Sequence, residues 1–147
     1  MKNFTIAAAF AVLSSPVFAD GHVSTTGDEA AGEEQFNRQC VACHVVQDAA
    51  GEILAGRNAK TGPNLYGIAA RPLGSVEDFR YSDSLMEMGA AGAVWTEEAF
   101  VGYVQDPTGW LRETLENRRA RGKMAYQVRE ESQAYDLYAF LSTFSAD

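Results

Sequence analysis

Two cysteines separated by two residues and followed at once by a histidine, Cys40-Val41-Ala42-Cys43-His44, are where this chain could do chemistry. They are the only cysteines among its 147 residues. A disulfide framework spreads several cysteines along a chain. A pair this close would close a tiny loop and remove little entropy from the unfolded state. The pair is therefore chemical, not structural. C-x-x-C-H is the attachment pattern of c-type haem. Two thiols one turn apart at a helix end each add to one porphyrin vinyl group, forming thioethers. The histidine that follows is then held against the iron as its proximal ligand.

Two other readings of the same residues fit less well. A structural zinc site wants four Cys or His ligands. The chain offers Cys40, Cys43, His44 and a distant His22 in a polar leader. A thioredoxin-like pair opens a helix after a strand, whereas this pair closes a helix with no strand before it.

A haem iron takes a sixth ligand or keeps an open position. The candidate methionines are Met86, Met88 and Met124. Met86 and Met88 are two apart, so only one of them can face inward from a helix. Met124 lies in an irregular stretch, Gly122-Lys123-Met124-Ala125-Tyr126, and a loop can lay a thioether across a haem face freely. A thioether also fills core gaps well, so spacing alone leaves the choice open. His/Met ligation raises the reduction potential and suits electron transfer.

The elements that must position these residues are helical. Asp28 to Cys43 reads as a helix with Asp28, Glu29, Glu33 and Glu34 near its N-terminus, where acids are favourable. Gly32, Phe36 and Cys40 share one face of it. Val45 to Leu73 is loop-like, punctuated by glycines and prolines. Ser82 to Met88 suggests a short helix. Thr96 can cap a helix running to Gln105, which Asp106-Pro107 stops. Gly109 to Asn117 suggests another short helix, and Arg118 to Met124 a basic loop. Ala134, Leu137, Tyr138 and Leu141 form the buried stripe of a last helix from about Glu130 to Phe144. No segment sustains a period of two, so the expectation is an all-α domain with long loops and no substantial sheet.

Residues 1–19 have the layout of a secretory signal peptide: Lys2, an apolar run from Phe4 to Leu13, then a small-residue end at Ala19. The run is well short of the roughly 20 residues needed to span a bilayer, so no membrane anchor is expected. Residues 20–27 read as a flexible leader. The whole chain carries a net charge of −8, and removing residues 1–19 leaves 11 bases against 20 acids, or −9. That balance excludes nucleic acid as a partner, which needs a basic footprint.

The ordered motifs beyond C-x-x-C-H sharpen the picture. They include Gly32-x-x-x-Phe36, Thr61-Gly62-Pro63-Asn64-Leu65-Tyr66-Gly67, Arg71, Phe79-Arg80-Tyr81-Ser82 and Trp95-Thr96-Glu97-Glu98. Tyr103, Asp106-Pro107, Lys123-Met124-Ala125-Tyr126 and Asp136 to Leu141 complete the set. From about Ala31 to Leu141 the chain resembles the class I cytochromes c, and among them the bacterial cytochrome c2 group. The resemblance implies one domain over residues 20–147, an all-α class I cytochrome c fold around one covalently bound haem c. It places Met124 as the axial methionine opposite His44. It gives the Pro63 carbonyl a hydrogen bond from the His44 ring, which fixes a ligand's orientation. It sets Tyr103 near the Met124 sulfur, and Tyr81 and Trp95 on a buried propionate with Arg71 nearby. Gly32, Phe36, Leu137 and Phe140 become the crossing of the first and last helices.

The resemblance further implies a periplasmic, monomeric single-electron carrier. Its partners would be a cytochrome bc1 complex and a photosynthetic reaction centre or terminal oxidase, with denitrification enzymes as an alternative. A haem enzyme such as a peroxidase or reductase would need an open iron and a distal acid or base, and His22 is the only spare histidine. Two departures stand out: a longer loop from Asp106 to Met124 than in mitochondrial cytochrome c, and Gly122 where many relatives carry threonine. Arg118, Arg119, Arg121 and Lys123 cluster beside Met124, with Arg112 upstream, and suggest a positive docking patch on an acidic body.

Overall fold

The first and last helices of the described residues meet at a glycine that has no room for a side chain. Gly32 lies so close to the Asp136 carbonyl that a Cβ there would collide with it. The computed structural model describes residues 25–144, and within them this crossing joins α1 (Glu29–Gln39) to α5 (Glu131–Ser142). Phe36 is fully buried at the crossing, with its ring 5.6 Å from that of Phe140. Leu137 and Leu141 fill the same face. Burial of side chains of this size is worth about 1.5–3 kcal/mol each. Among the described residues Gln35 is the one buried polar residue of the core, and its amide donates to the Gln133 side chain at 3.3 Å.

Three shorter helices complete the frame: α2 (Asp83–Ala90), α3 (Glu97–Gln105) and α4 (Pro107–Thr114). Ser82 caps α2 and Thr96 caps α3, each accepting from the amide three residues on. Asp106 closes α3 and at once opens α4, its Oδ1 accepting from Gly109 N at 2.9 Å. The expected helix from Gly109 to Asn117 therefore starts two residues earlier. Proline lacks only an amide that the first turn leaves unpaired, so Pro107 is well placed there.

Three expectations need correction. The first helix stops at Gln39, not Cys43: Cys40 caps it, and residues 40–43 form a tight turn held by Cys43 N and His44 N donating to Cys40 O. A small antiparallel hairpin, β1 (Val45–Gln47) with β2 (Ile53–Gly56), breaks up the expected loop. The end of the leader is not loose, because Thr26 N and Oγ1 both donate to the Glu97 carboxylate at 2.7 Å. Asp28 N also donates to Asp136 Oδ1 at 2.8 Å. The proposed signal segment, His22 and the leader before residue 25 lie outside the described residues. No helix among the described residues is long and apolar enough to cross a membrane.

Candidate functional site

The turn after α1 delivers Cys40, Cys43 and His44 to one wall of a cavity of about 820 Å³, within the size range of cofactor pockets. Most of the remaining wall is apolar and aromatic, with Leu65, Ile68, Phe79, Leu85, Phe100 and Leu137 among its residues. The cysteines are free and half-buried. Burial, with the neighbouring Cys43, pushes the Cys40 thiol up to about 12. A redox-active cysteine needs the opposite shift, and the pair closes α1 where a thioredoxin-like pair opens a helix. Among the described residues no three His, Cys, Asp or Glu side chains gather as metal ligands.

His44 is fixed from two sides. Its ring Nδ1 lies 2.9 Å from the Pro63 carbonyl oxygen. A carbonyl only accepts, so Nδ1 carries the proton and Nε2 is free to act as a ligand. Gly62 packs flat against the imidazole, leaving no room for a Cβ. Gly62 N donates to Cys43 O at 2.7 Å, tying this loop to the cysteine turn. Burial lowers the histidine's affinity for a proton, opposed by the Pro63 bond, and so favours the neutral ring a metal needs.

The polar wall comprises Arg71, Tyr81, Trp95 and Tyr103, all lining the cavity. Arg71 Nη1 donates to Tyr66 O at 2.7 Å and Nη2 to Asn64 O at 3.1 Å. Its Nε is buried without a partner. Ala70, at φ 59°, turns the chain just before it. Ala70 N donates to Trp95 O and Trp95 N to Arg71 O, both at 2.9 Å. Burial raises Tyr81, opposed by the adjacent Arg71. Burial and then Tyr81 push Tyr103 up to about 12. Both phenols are therefore neutral O–H donors at ordinary pH. An orphaned buried guanidinium N–H beside hydroxyl and indole donors calls for an anionic acceptor, and the carboxylates of a haem are such acceptors. The residues present fit the group.

Of the three candidate methionines, Met124 lines the cavity; Met88 is core and Met86 is exposed. The structure thus brings Cys40, Cys43, His44, Pro63, Arg71, Tyr81, Trp95, Tyr103 and Met124 to one space. It leaves Arg118, Arg119 and Arg121 out of the wall, with Lys123 the one member of that cluster at the cavity. Sequence reasoning missed Gly62 under the imidazole and the carbonyls of Asn64 and Tyr66 that hold Arg71. It also missed the Tyr138 hydroxyl, which donates to Trp95 O at 3.1 Å. The Thr61–Gly67 motif contained the first two, but only the folded backbone shows which atoms they offer.

No family model matches the chain. Cytochrome c2 of Rhodovulum adriaticum is 58% identical over 121 residues, covering 82% of this chain and 95% of the relative. Cytochrome c2 of Cereibacter sphaeroides is 44% identical over 142 residues, covering 96% and 92%. Among solved structures, cytochrome c2 from Rhodobacter sphaeroides superposes with a TM-score of 0.79 at 45% identity, covering 83% of this chain and 99% of that one. Together with the cavity built on Cys40, Cys43 and His44, these likenesses settle the family: the chain belongs to the cytochromes c2, class I c-type cytochromes that carry one covalently attached haem c.

Proposed function

We propose that this protein is a periplasmic single-electron carrier in which Cys40 and Cys43 hold the haem and His44 and Met124 ligate its iron. The observation that carries this reading is the lining of the cavity. It holds His44 and Met124 and, among the described residues, no carboxylate and no second imidazole, the groups most often used as a distal acid or base. Haem c, when bound, supplies a ferrous/ferric couple. The chain's own residues hold that couple in place. Pro63 and Gly62 orient the His44 ring, and the apolar wall excludes water and limits solvent rearrangement. Arg71, Tyr81 and Trp95 offer their donors to the propionates, a charge too costly to bury unpaired.

Residues 1–19 act in this reading as an export signal, leaving a monomeric cytochrome domain over residues 20–147. Donor and acceptor are a cytochrome bc1 complex and a reaction centre or terminal oxidase, with denitrification enzymes as the alternative acceptors. Arg118, Arg119 and Arg121 are exposed, as is Lys123 at the cavity, and they serve as a positive docking patch for an acidic partner site. Stopped-flow oxidation and reduction by the purified complexes tests this. Fast single-electron exchange whose association rate falls with salt is expected. Rates that stay flat or rise with ionic strength would remove the patch, and no exchange with any of these complexes would remove the carrier assignment.

A further inference from the structure

Three aromatic rings connect the haem cavity to the outer face of α3 and α4. Trp95 and Tyr103 line the cavity. Trp110, in the middle of α4, lies beyond them and is half-buried, so part of its indole meets solvent. The rings form a triangle: Trp95 to Tyr103 at 5.2 Å, Tyr103 to Trp110 at 5.8 Å and Trp95 to Trp110 at 6.4 Å between centroids. All three separations are those of aromatic pairs in contact. The two indoles are stacked, with 21° between their planes, whereas Tyr103 meets both edge-on.

The backbone makes room for this stack. A Cβ at Gly102 of α3 would lie 2.5 Å from Trp110 Cδ1 and 2.8 Å from its Nε1. The pyrrole edge of the indole therefore rests on the α3 backbone, and a side chain at residue 102 would lift it away from Trp95. Trp110 N donates to Asp106 O at 2.8 Å, which fixes where α4 presents the ring. Among side chains, indole and phenol give up one electron most readily, but they differ in what happens to the proton. An indole loses its electron first and its proton later. A phenol must release its proton as the electron leaves, and burial, with Tyr81 beside it, holds the Tyr103 proton up to about 12. The indole pair is the easier path.

We propose that Trp110 and Trp95 form an indole relay that carries oxidising equivalents from the α3–α4 surface to the haem. The species it serves is a diffusing one-electron oxidant strong enough to take an electron from indole, a stronger class than the carrier's own exchange partners. That oxidant takes one electron from Trp110, Trp95 refills Trp110, and the ferrous haem refills Trp95. No bond forms or breaks: the oxidant gains one electron and the iron passes from ferrous to ferric. An attack on the surface thus ends as the carrier's ordinary oxidised state. The inference rests on the haem c in the cavity and not on which ligand opposes His44.

The test generates the oxidant beside Trp110. Haem attachment consumes both native cysteines of the holoprotein, so Glu113→Cys creates a single labelling site. Glu113 is exposed on α4, three residues beyond Trp110 and on the same face. A ruthenium(II) polypyridyl attached there, excited by a laser flash, loses an electron to dissolved hexaammineruthenium(III) and becomes a strong one-electron oxidant. Transient absorbance then follows the indole radical and the ferrous haem separately. The radical should appear first and decay as the haem is oxidised. With the iron already ferric, the haem has no electron to give, and the radical should persist at least about tenfold longer, a barrier difference of about 1.4 kcal/mol. Trp110→Phe, which keeps a ring over Gly102, should remove the early radical and slow haem oxidation by at least about tenfold. The same label on exposed Glu34 of α1 (Glu34→Cys) should give a haem oxidation rate that Trp110→Phe leaves alone. A radical that decays equally fast in ferrous and ferric protein would overturn the relay, and this comparison needs no change at Trp110. So would a rate that Trp110→Phe leaves unchanged with the label at residue 113, or one slowed equally from both label positions.

Discussion

The His44 ring donates from Nδ1 to the Pro63 carbonyl oxygen at 2.9 Å, across nineteen residues of chain. This bond fixes the tautomer, turns Nε2 into the cavity and adds electron density to the ligand. Gly62 makes it possible, since the backbone of residues 62 and 63 must lie against the ring.

Gly62→Ala should therefore push the imidazole off its position. The methyl group has no free space, and overpacking of this kind costs about 1–3 kcal/mol. Urea unfolding of the holoprotein measures the loss. A change in the low-spin optical spectrum should accompany it, whereas Ala at an ordinary loop glycine would leave the spectrum alone.

Arg71→Met removes a buried cation whose amino groups serve the carbonyls of Asn64 and Tyr66. Two part-buried acceptors lose their donors, for about 1–3 kcal/mol of destabilisation. A cation near the iron disfavours the ferric state, so its removal should lower the reduction potential. A Coulomb energy of about 1 kcal/mol corresponds to roughly 40 mV for one electron. Redox titration checks the sign, and an unchanged or raised potential would contradict the placement.

At the crossing of α1 and α5, Phe36→Ala should cost about 3–5 kcal/mol, because Phe36 is fully buried and the close approach at Gly32 leaves little scope for collapse. Thermal and urea unfolding report this directly.

Tyr103 sets a limit on alkaline stability. Its folded value of about 12 lies above the ordinary 10.0, chiefly through burial. Above pH 10 the unfolded chain releases a proton that the folded chain keeps. The contribution is complete below pH 10 and is lost as pH rises to 12. Tyr103→Phe should recover about 2–3 kcal/mol of that loss, seen as a flatter alkaline limb in stability measured against pH. Tyr81 and Tyr138 are raised in the same direction and leave a residual slope.

Much of the site was legible because its signals are local. C-x-x-C-H, the Thr96 cap and the stripe of α5 each reside within a few residues. The hairpin escaped notice because a strand of three residues is too short to show a period. The Thr25–Gly27 stretch reads as polar and loose, yet Glu97, seventy-one residues from Thr26, ties it down. Arg71 was placed near a propionate by resemblance alone; its carbonyl partners depend on a turn through Ala70 that no residue type announces. The basic cluster looked contiguous along the chain, but only Lys123 reaches the cavity.

The central claim is that His44 and Met124 seal the iron. The optical spectrum of the ferrous holoprotein, recorded before and after adding carbon monoxide, tests it most directly. The account predicts a sharp low-spin c-type spectrum that carbon monoxide leaves unmoved, and prompt carbon monoxide binding once Met124 is replaced by alanine. Rapid carbon monoxide binding to the unmodified protein would contradict it.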